Sequence, residues 1–257
     1  MEPHGYTFKP YGPIGPVVNG RELVGFIKPT DEGAISAFVQ AIRRTVEAQH
    51  VGPHGADLDF WWRHLSEVAP GLIVTGSFPS DPDEALTQLQ VWIKHGVTHV
   101  LDCRVETDDE DFLAEHAPDL VYHRVGVDDD GAPREDSWFF QGLAFARDAA
   151  KVEGGTLLVY CQMGVNRSPS MAYRILLDRG IPFDEAFVQI AVNRPIVGMG
   201  YALDALVHHA RSSDWTEVRT EEASERIAAL LEIEPAHLWA AVNLPREGLP
   251  TTKDRPG

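Results

Sequence analysis

Cys161 and Arg167 enclose five residues in the run Leu157-Leu-Val-Tyr-Cys-Gln-Met-Gly-Val-Asn-Arg-Ser168. A thiol and a guanidinium at that interval, between an apolar strand and a helix start, suit the capture and displacement of a tetrahedral oxyanion. Consecutive backbone N–H groups can converge on one point at a helix N-terminus, where the macrodipole favours both a dianionic ligand and a thiolate. If Cys161 attacks phosphorus, Arg167 grips two equatorial oxygens, because its planar fork matches a phosphoryl group where lysine offers only a point charge. Gln162, Met163, Gly164, Val165 and Asn166 then supply the cradle. Ser168 either gives its hydroxyl to the sulfur, easing departure of the thiolate from a phosphocysteine, or is simply the helix N-cap. The bland alternative for the whole run is a buried, inert cysteine in a strand-to-helix turn.

The leaving alcohol needs a proton, and Asp128-Asp129-Asp130 after a strand over residues 121–127 can deliver one. Three adjacent carboxylates also fit a solvated acidic turn. Val121, His123, Val125 and Val127 share one face of that strand, so Asp129 continues the same side if the chain stays extended.

These residues must be positioned by alternating elements. The pattern predicts strands at 71–75, 98–103, 121–127 and 156–160, and helices at 83–95, 136–152, 168–178, 184–192 and 203–211. Such alternation implies α/β layering, with a central mixed, mostly parallel sheet flanked by helices. Helical patterning continues in the tail from Thr220 through Ile227, Leu230 and Leu231, then over 238–242. The first thirty residues, with Pro3, Pro10, Pro13, Pro16 and Pro29, read as extended, and a helix is expected over 31–50. Phe60, Trp61 and Trp62 read as a hydrophobic anchor, with a ligand-stacking platform as the alternative. The expected organisation is an accessory extension over 1–60, a catalytic domain over 61–211 and a helical tail over 212–257.

With 257 residues, 44% of them hydrophobic, the chain can bury a proper core. Its net charge of −17 and the lack of a Lys/Arg cluster disfavour nucleic-acid and anionic-membrane partners. Two cysteines cannot build a disulfide scaffold, no zinc-type Cys/His spacing occurs, and Met1 is followed by Glu2, Pro3 and His4 rather than by the basic-then-apolar pattern expected of a secretory signal. A reducing, cytoplasmic setting is expected. The histidines, among them His95, His99, His208 and His209, show no ligand spacing, so solvated or capping roles are expected.

Taken together, Ala69-Pro-Gly-Leu-Ile-Val-Thr-Gly-Ser77, His95-Gly-Val-Thr-His-Val-Leu-Asp-Cys103, Tyr122-His-Arg-Val-Gly-Val-Asp-Asp129, Ser137-Trp-Phe139 and Cys161-Gln-Met-Gly-Val-Asn-Arg-Ser168 resemble the dual-specificity protein phosphatases. The resemblance spans residues 69–211. It implies the cysteine-phosphatase fold, Cys161 as nucleophile, Arg167 as phosphate clamp, Asp129 as general acid, Ser168 as release helper, and neither metal nor cofactor. The separation of Asp129 from Cys161 is typical of that acid in the family. A phosphorylated protein is the implied partner, with a small phosphorylated metabolite or nucleotide, or a phosphate-recognition module without turnover, as alternatives. Asn193-Arg-Pro195 and Gly200-Tyr201 resemble the segment that packs behind the loop. Two positions depart from the family pattern: Tyr160 stands where histidine usually precedes the cysteine, and Asn166 replaces a small residue. The Gly-x-Asn-Arg form also resembles the cysteine-dependent RNA 5′-triphosphatases of capping enzymes, against which the acidic chain and Asp129 argue. Lipid phosphatases of the superfamily carry lysines in this loop, and none is present here. Some of them have a protective bridge, which a Cys103–Cys161 disulfide would resemble; the alternative for Cys103 is an inert strand-end cysteine.

Overall fold

β7 (Leu157–Tyr160) lies at the centre of a five-stranded sheet, buried at every position. A strand with helices on both faces must be apolar throughout, which is why this run shows no alternation. A computed structural model of the chain describes residues 16–19, 22–26, 63–194 and 197–243. The elements are β1 (Pro16–Asn19), β2 (Glu22–Phe26), β3 (Ser66–Ala69), β4 (Leu72–Thr75), α1 (Pro82–Lys94), β5 (His99–Arg104), α2 (Glu110–His116), β6 (Val121–Val127), α3 (Asp136–Ala149), β7, α4 (Arg167–Asp178), α5 (Phe183–Asn193), α6 (Ala202–Ser212) and α7 (Glu217–Asn243). The sheet order is β3-β4-β7-β5-β6, with β3 antiparallel to β4 and the other pairs parallel. This is the mixed, mostly parallel sheet expected from the alternation of elements.

The chain divides into two compact units: Phe60–Ala228, which holds the sheet, and Met1–Asp59 with Ala229–Gly257. In the latter, β1 and β2 pair antiparallel within the stretch expected to be extended. The expected helix over 31–50 and the Phe60-Trp61-Trp62 anchor lie outside the described residues.

Three elements depart from expectation. Ser66–Ala69 forms an edge strand and Glu110–His116 a seven-residue helix, neither of which was anticipated. Both are short and carry only two or three apolar residues, too few for a period to register. The tail, expected as two helical stretches, is one helix, α7. α1 starts where local chemistry dictates: the Asp81 carboxylate accepts from the amides of Asp83 and Glu84, and Pro82 opens the first turn.

The sheet's two faces are chemically distinct. Ile73, Val100, Leu158 and Tyr160 face a cluster with Leu89 and Trp92 of α1 and Leu113 of α2. The alternate positions face α4, which is buried from Arg167 to Leu177. Because side chains alternate along a strand, Tyr160 and Cys161 leave β7 on opposite faces. The loop after β7 departs from the carboxyl end of the sheet, the edge at which open α/β sheets bind ligands.

Candidate active site

The loop between Cys161 and Arg167 turns the carbonyl groups of Gln162, Met163, Gly164 and Val165 outward, and each of the four finds a donor. Gln162 accepts from the amide and hydroxyl of Ser77, both at 3.1 Å. The carbonyls of Met163 and Gly164 accept from Arg194 at 3.2 and 2.6 Å. Val165 accepts from the amides of Gly198 and Met199, at 2.8 and 3.1 Å. Since N–H and C=O point opposite ways across a trans peptide, the amides of Met163, Gly164, Val165 and Asn166 face the loop's interior. An inward ring of donors at the start of α4 is an anion site.

Gly164 makes this turn feasible. Its φ is +64°, and a Cβ there would lie 2.2 Å from Arg194 Nη2 and 2.6 Å from the carbonyl oxygen of Thr75. Arg194, resembling in sequence the family's segment behind the loop, therefore braces the cradle from outside and does not enter it. Burial pulls its guanidinium down to about 10, against the opposing charge of Cys161, so it remains cationic at neutral pH.

Cys161 is buried at the base of the loop and accepts a hydrogen bond from the Ser168 hydroxyl at 3.3 Å. α4 begins one residue earlier than expected, with Asn166 as N-cap, so Ser168 is not the cap. The Asn166 side chain turns back instead over Gly198, where a Cβ would lie 2.6 Å from its Oδ1. Gln162 and Met163 are exposed at the mouth.

Arg167 is 2% exposed, and three of its N–H bonds are committed. Nη1 donates to Glu106 Oε2 at 2.7 Å and to the Val127 carbonyl at 2.9 Å, while Nη2 donates to Glu106 Oε1 at 2.6 Å. A guanidinium has five N–H groups in a fixed fork. Nε is buried with no hydrogen-bond partner. What remains is the Nε–H and the second N–H of Nη2, a parallel pair along one edge. That edge fits two oxygens of a phosphoryl group.

Burial disfavours the Arg167 cation. Its hydrogen bonds to Glu106 and the charges of Cys161 and Asp129 outweigh that cost, and its pKa is raised. Conversely the bond to Arg167 pulls the Glu106 carboxyl down to about 2. Glu106 was not anticipated from the sequence. It lies in the acidic stretch Glu106-Thr-Asp-Asp-Glu-Asp111, where nothing in residue type or spacing distinguishes one carboxylate from the next.

Of the three adjacent aspartates, Asp129 reaches the site: Oδ2 lies 3.6 Å from Arg167 Nε, and Oδ1 accepts from the Tyr201 hydroxyl at 2.8 Å. Asp130 caps the amide of Ala132 and pairs with Arg134, which also holds the Asp128 carbonyl. Tyr160, which stands where the family usually has histidine, points away from Cys161. Its hydroxyl meets Asp102 Oδ2 at 2.9 Å, Asp109 Oδ2 at 2.7 Å and Arg104 Nη2 at 2.9 Å, in a buried polar cluster. Cys103 is buried, and burial, with the charges of Cys161 and Asp102 adding, pushes its thiol well up. Asp102 pairs with Tyr160 in register, and Cys103 and Cys161 are the next residues of their chains; both are free thiols. Among the described residues no group of three or more His, Cys, Asp or Glu could hold a metal, and no helix is long and apolar enough to cross a membrane.

Residues 82–208 match the dual specificity phosphatase catalytic domain. Human dual specificity protein phosphatase 13B is 29% identical over 116 residues, covering 44% of this chain and 56% of its own length. Mouse dual specificity protein phosphatase 2 is 31% identical over 83 residues, covering 32% of this chain and 26% of its own. The chain thus spans between a quarter and about half of these curated relatives. The solved structure of human DUSP28 is 24% identical with a TM-score of 0.48, covering 58% of this chain and 95% of that one. The domain match and the curated relatives agree with the residues that gather around Cys161, and residues 82–208 form a dual-specificity phosphatase catalytic domain.

Proposed function

We propose that this protein is a metal-independent phosphomonoester hydrolase of the dual-specificity type, acting on phosphorylated proteins in a reducing compartment such as the cytoplasm. The observation that carries the reading is the Nε edge of Arg167, which no hydrogen bond occupies, in a loop whose carbonyls turn outward and whose base holds the Cys161 sulfur. In the proposed reaction the Cys161 thiolate attacks phosphorus, the P–O bond to the leaving group breaks, and Asp129 gives its proton to the departing oxygen. Loop amides and Arg167 hold the equatorial oxygens throughout. Water, deprotonated by Asp129, then attacks the phosphocysteine. The S–P bond breaks, phosphate leaves, and the Ser168 hydroxyl stabilises the returning thiolate. The orientation of Tyr160 away from the sulfur argues against a binding-only module. The uncharged loop side chains argue against a polyphosphorylated inositol headgroup.

The test is turnover of p-nitrophenyl phosphate in chelator across pH. Cys161→Ser should abolish it. Asp129→Asn should lower kcat by about 10²-fold and remove the alkaline limb, while Asp128→Asn and Asp130→Asn should retain both. Full activity in Cys161→Ser overturns the mechanism; loss of the limb in either neighbour moves the acid from Asp129.

A further inference from the structure

Glu106 sits 40% exposed at the mouth of the site yet holds both terminal nitrogens of the buried Arg167. The segment bearing it is clamped on both sides. At its start, Arg124 donates to the carbonyls of Arg104 and Val105 and to Asp108. At its end, Asp109 is held by Arg104 and the Tyr160 hydroxyl. Arg104 is itself fixed by two bonds to Asp102, at 2.9 and 2.8 Å. Gly126 permits the approach, since a Cβ there would lie 2.2 Å from the Arg104 carbonyl oxygen. A carboxylate delivered by so rigid a loop is a fixture, not a passing surface contact.

We infer that Glu106 is a positioning residue: it grips the terminal edge of Arg167 and thereby presents the Nε/Nη2 edge to the phosphoryl group. The argument is one of counting. Glu106 and the Val127 carbonyl take three of the five N–H groups, and the remaining two are adjacent and parallel. A phosphoryl group can therefore bind without displacing Glu106, and rotation of the guanidinium away from the cradle breaks two charge-assisted bonds. The carboxylate also offsets the cation's burial when no ligand is present. The opposite role, a plug that must leave before phosphate enters, would require phosphate to use the terminal edge.

This inference rests on the proposed phosphate site, so it is tested by binding as well as turnover. Glu106→Ala and Glu106→Gln are compared with wild type for inorganic phosphate affinity by isothermal titration, for p-nitrophenyl phosphate kcat and KM across pH, and for thermal midpoint. Positioning predicts phosphate affinity about tenfold weaker and kcat/KM about 10²-fold lower in the alanine variant, in keeping with a misplacement of about 1 Å. Glutamine, which still accepts one bond, should recover part of both. The pH limits should stay put, because the Glu106 carboxyl, drawn down to about 2 by Arg167, does not titrate in the working range. Tighter phosphate binding in either variant identifies a plug and overturns the inference, as does unchanged affinity or a wild type that binds no phosphate. If the alanine variant fails to fold, the glutamine variant carries the test. Phosphate binding that depends on Glu106 without turnover refutes the hydrolase and leaves the positioning role standing.

Discussion

Replacing Tyr160 by Phe removes one oxygen from the buried cluster and leaves the ring in place. That ring packs edge-on to Trp92 with centroids 5.5 Å apart, and the Arg104 guanidinium lies 4.6 Å above its centroid. Phenylalanine keeps both contacts, so the loss is confined to hydrogen bonds. The hydroxyl touches three charged groups but has one proton: it accepts from Arg104 and donates to either Asp109 or Asp102 at a time. Two bonds to charged partners at about 1.5 kcal/mol each give a destabilisation of about 3 kcal/mol. For a unit of this size that corresponds to a fall in Tm of about 6–12 °C. Urea titration and thermal melting by circular dichroism measure it directly. Activity well below the melting temperature should stay within about threefold of wild type, because Tyr160 faces away from Cys161 and Asp102 still holds Arg104. A loss below about 0.5 kcal/mol would show that the carboxylates rearrange around the missing oxygen. A collapse of activity at unchanged stability would show that the site needs the Tyr160 hydroxyl, at the thiolate or through the Glu106 segment, and would refute the reasoning.

Two other outcomes are expected. Peroxide should convert the Cys161 thiolate to a sulfenic acid with release of hydroxide, and the Cys103 thiol should then form the disulfide and release water. The two cysteines each follow a residue of the paired strands β5 and β7, and the Cys161 charge bears on the Cys103 thiol. Inactivation should be fully reversed by reductant in wild type and only partly in Cys103→Ser, and equal recovery would exclude the bridge. The raised pKa of Cys103 makes that second step slow. At His209, burial first and then the Arg174 charge, with smaller contributions from Arg219 and His208 that Asp178 opposes, pull the pKa down to about 4. The unfolded chain therefore takes up this proton at higher pH than the folded one. Its contribution to stability is complete above about 6.5 and declines as pH falls towards 4. The midpoint of thermal unfolding should fall between pH 6.5 and 5 less steeply in His209→Asn, and parallel slopes would refute the assignment.

Motif residues were more legible than the groups that orient them. Cys161, Arg167 and Ser168 lie within one strand-loop-helix, where helix dipole, amide convergence and sulfur contact follow from local conformation. Asp129 could be singled out among three aspartates because strand periodicity and the family's spacing agree, and the structure puts it closest to Arg167. Glu106 had no such signal: its importance comes from a clamp made by Arg124, Arg104, Asp109 and Tyr160, contributed by three neighbouring strands and the segment after β5. Ser66–Ala69 and Glu110–His116 escaped for the related reason that short elements are held by their neighbours more than by their own pattern.

Sequence alone therefore determined the α/β alternation, the strand that ends at the nucleophile and the chemistry available in the loop, because each depends on residues close together in the chain. Tertiary structure decided which way each neighbour points. It sent Tyr160 into a buried cluster on the far face, aimed the Arg194 guanidinium at the carbonyls of Met163 and Gly164, and set Glu106 against Arg167. Side chains alternate across a strand and guanidinium groups are held by distant carboxylates and carbonyls, so those assignments depend on which strands lie side by side, a property no single segment carries.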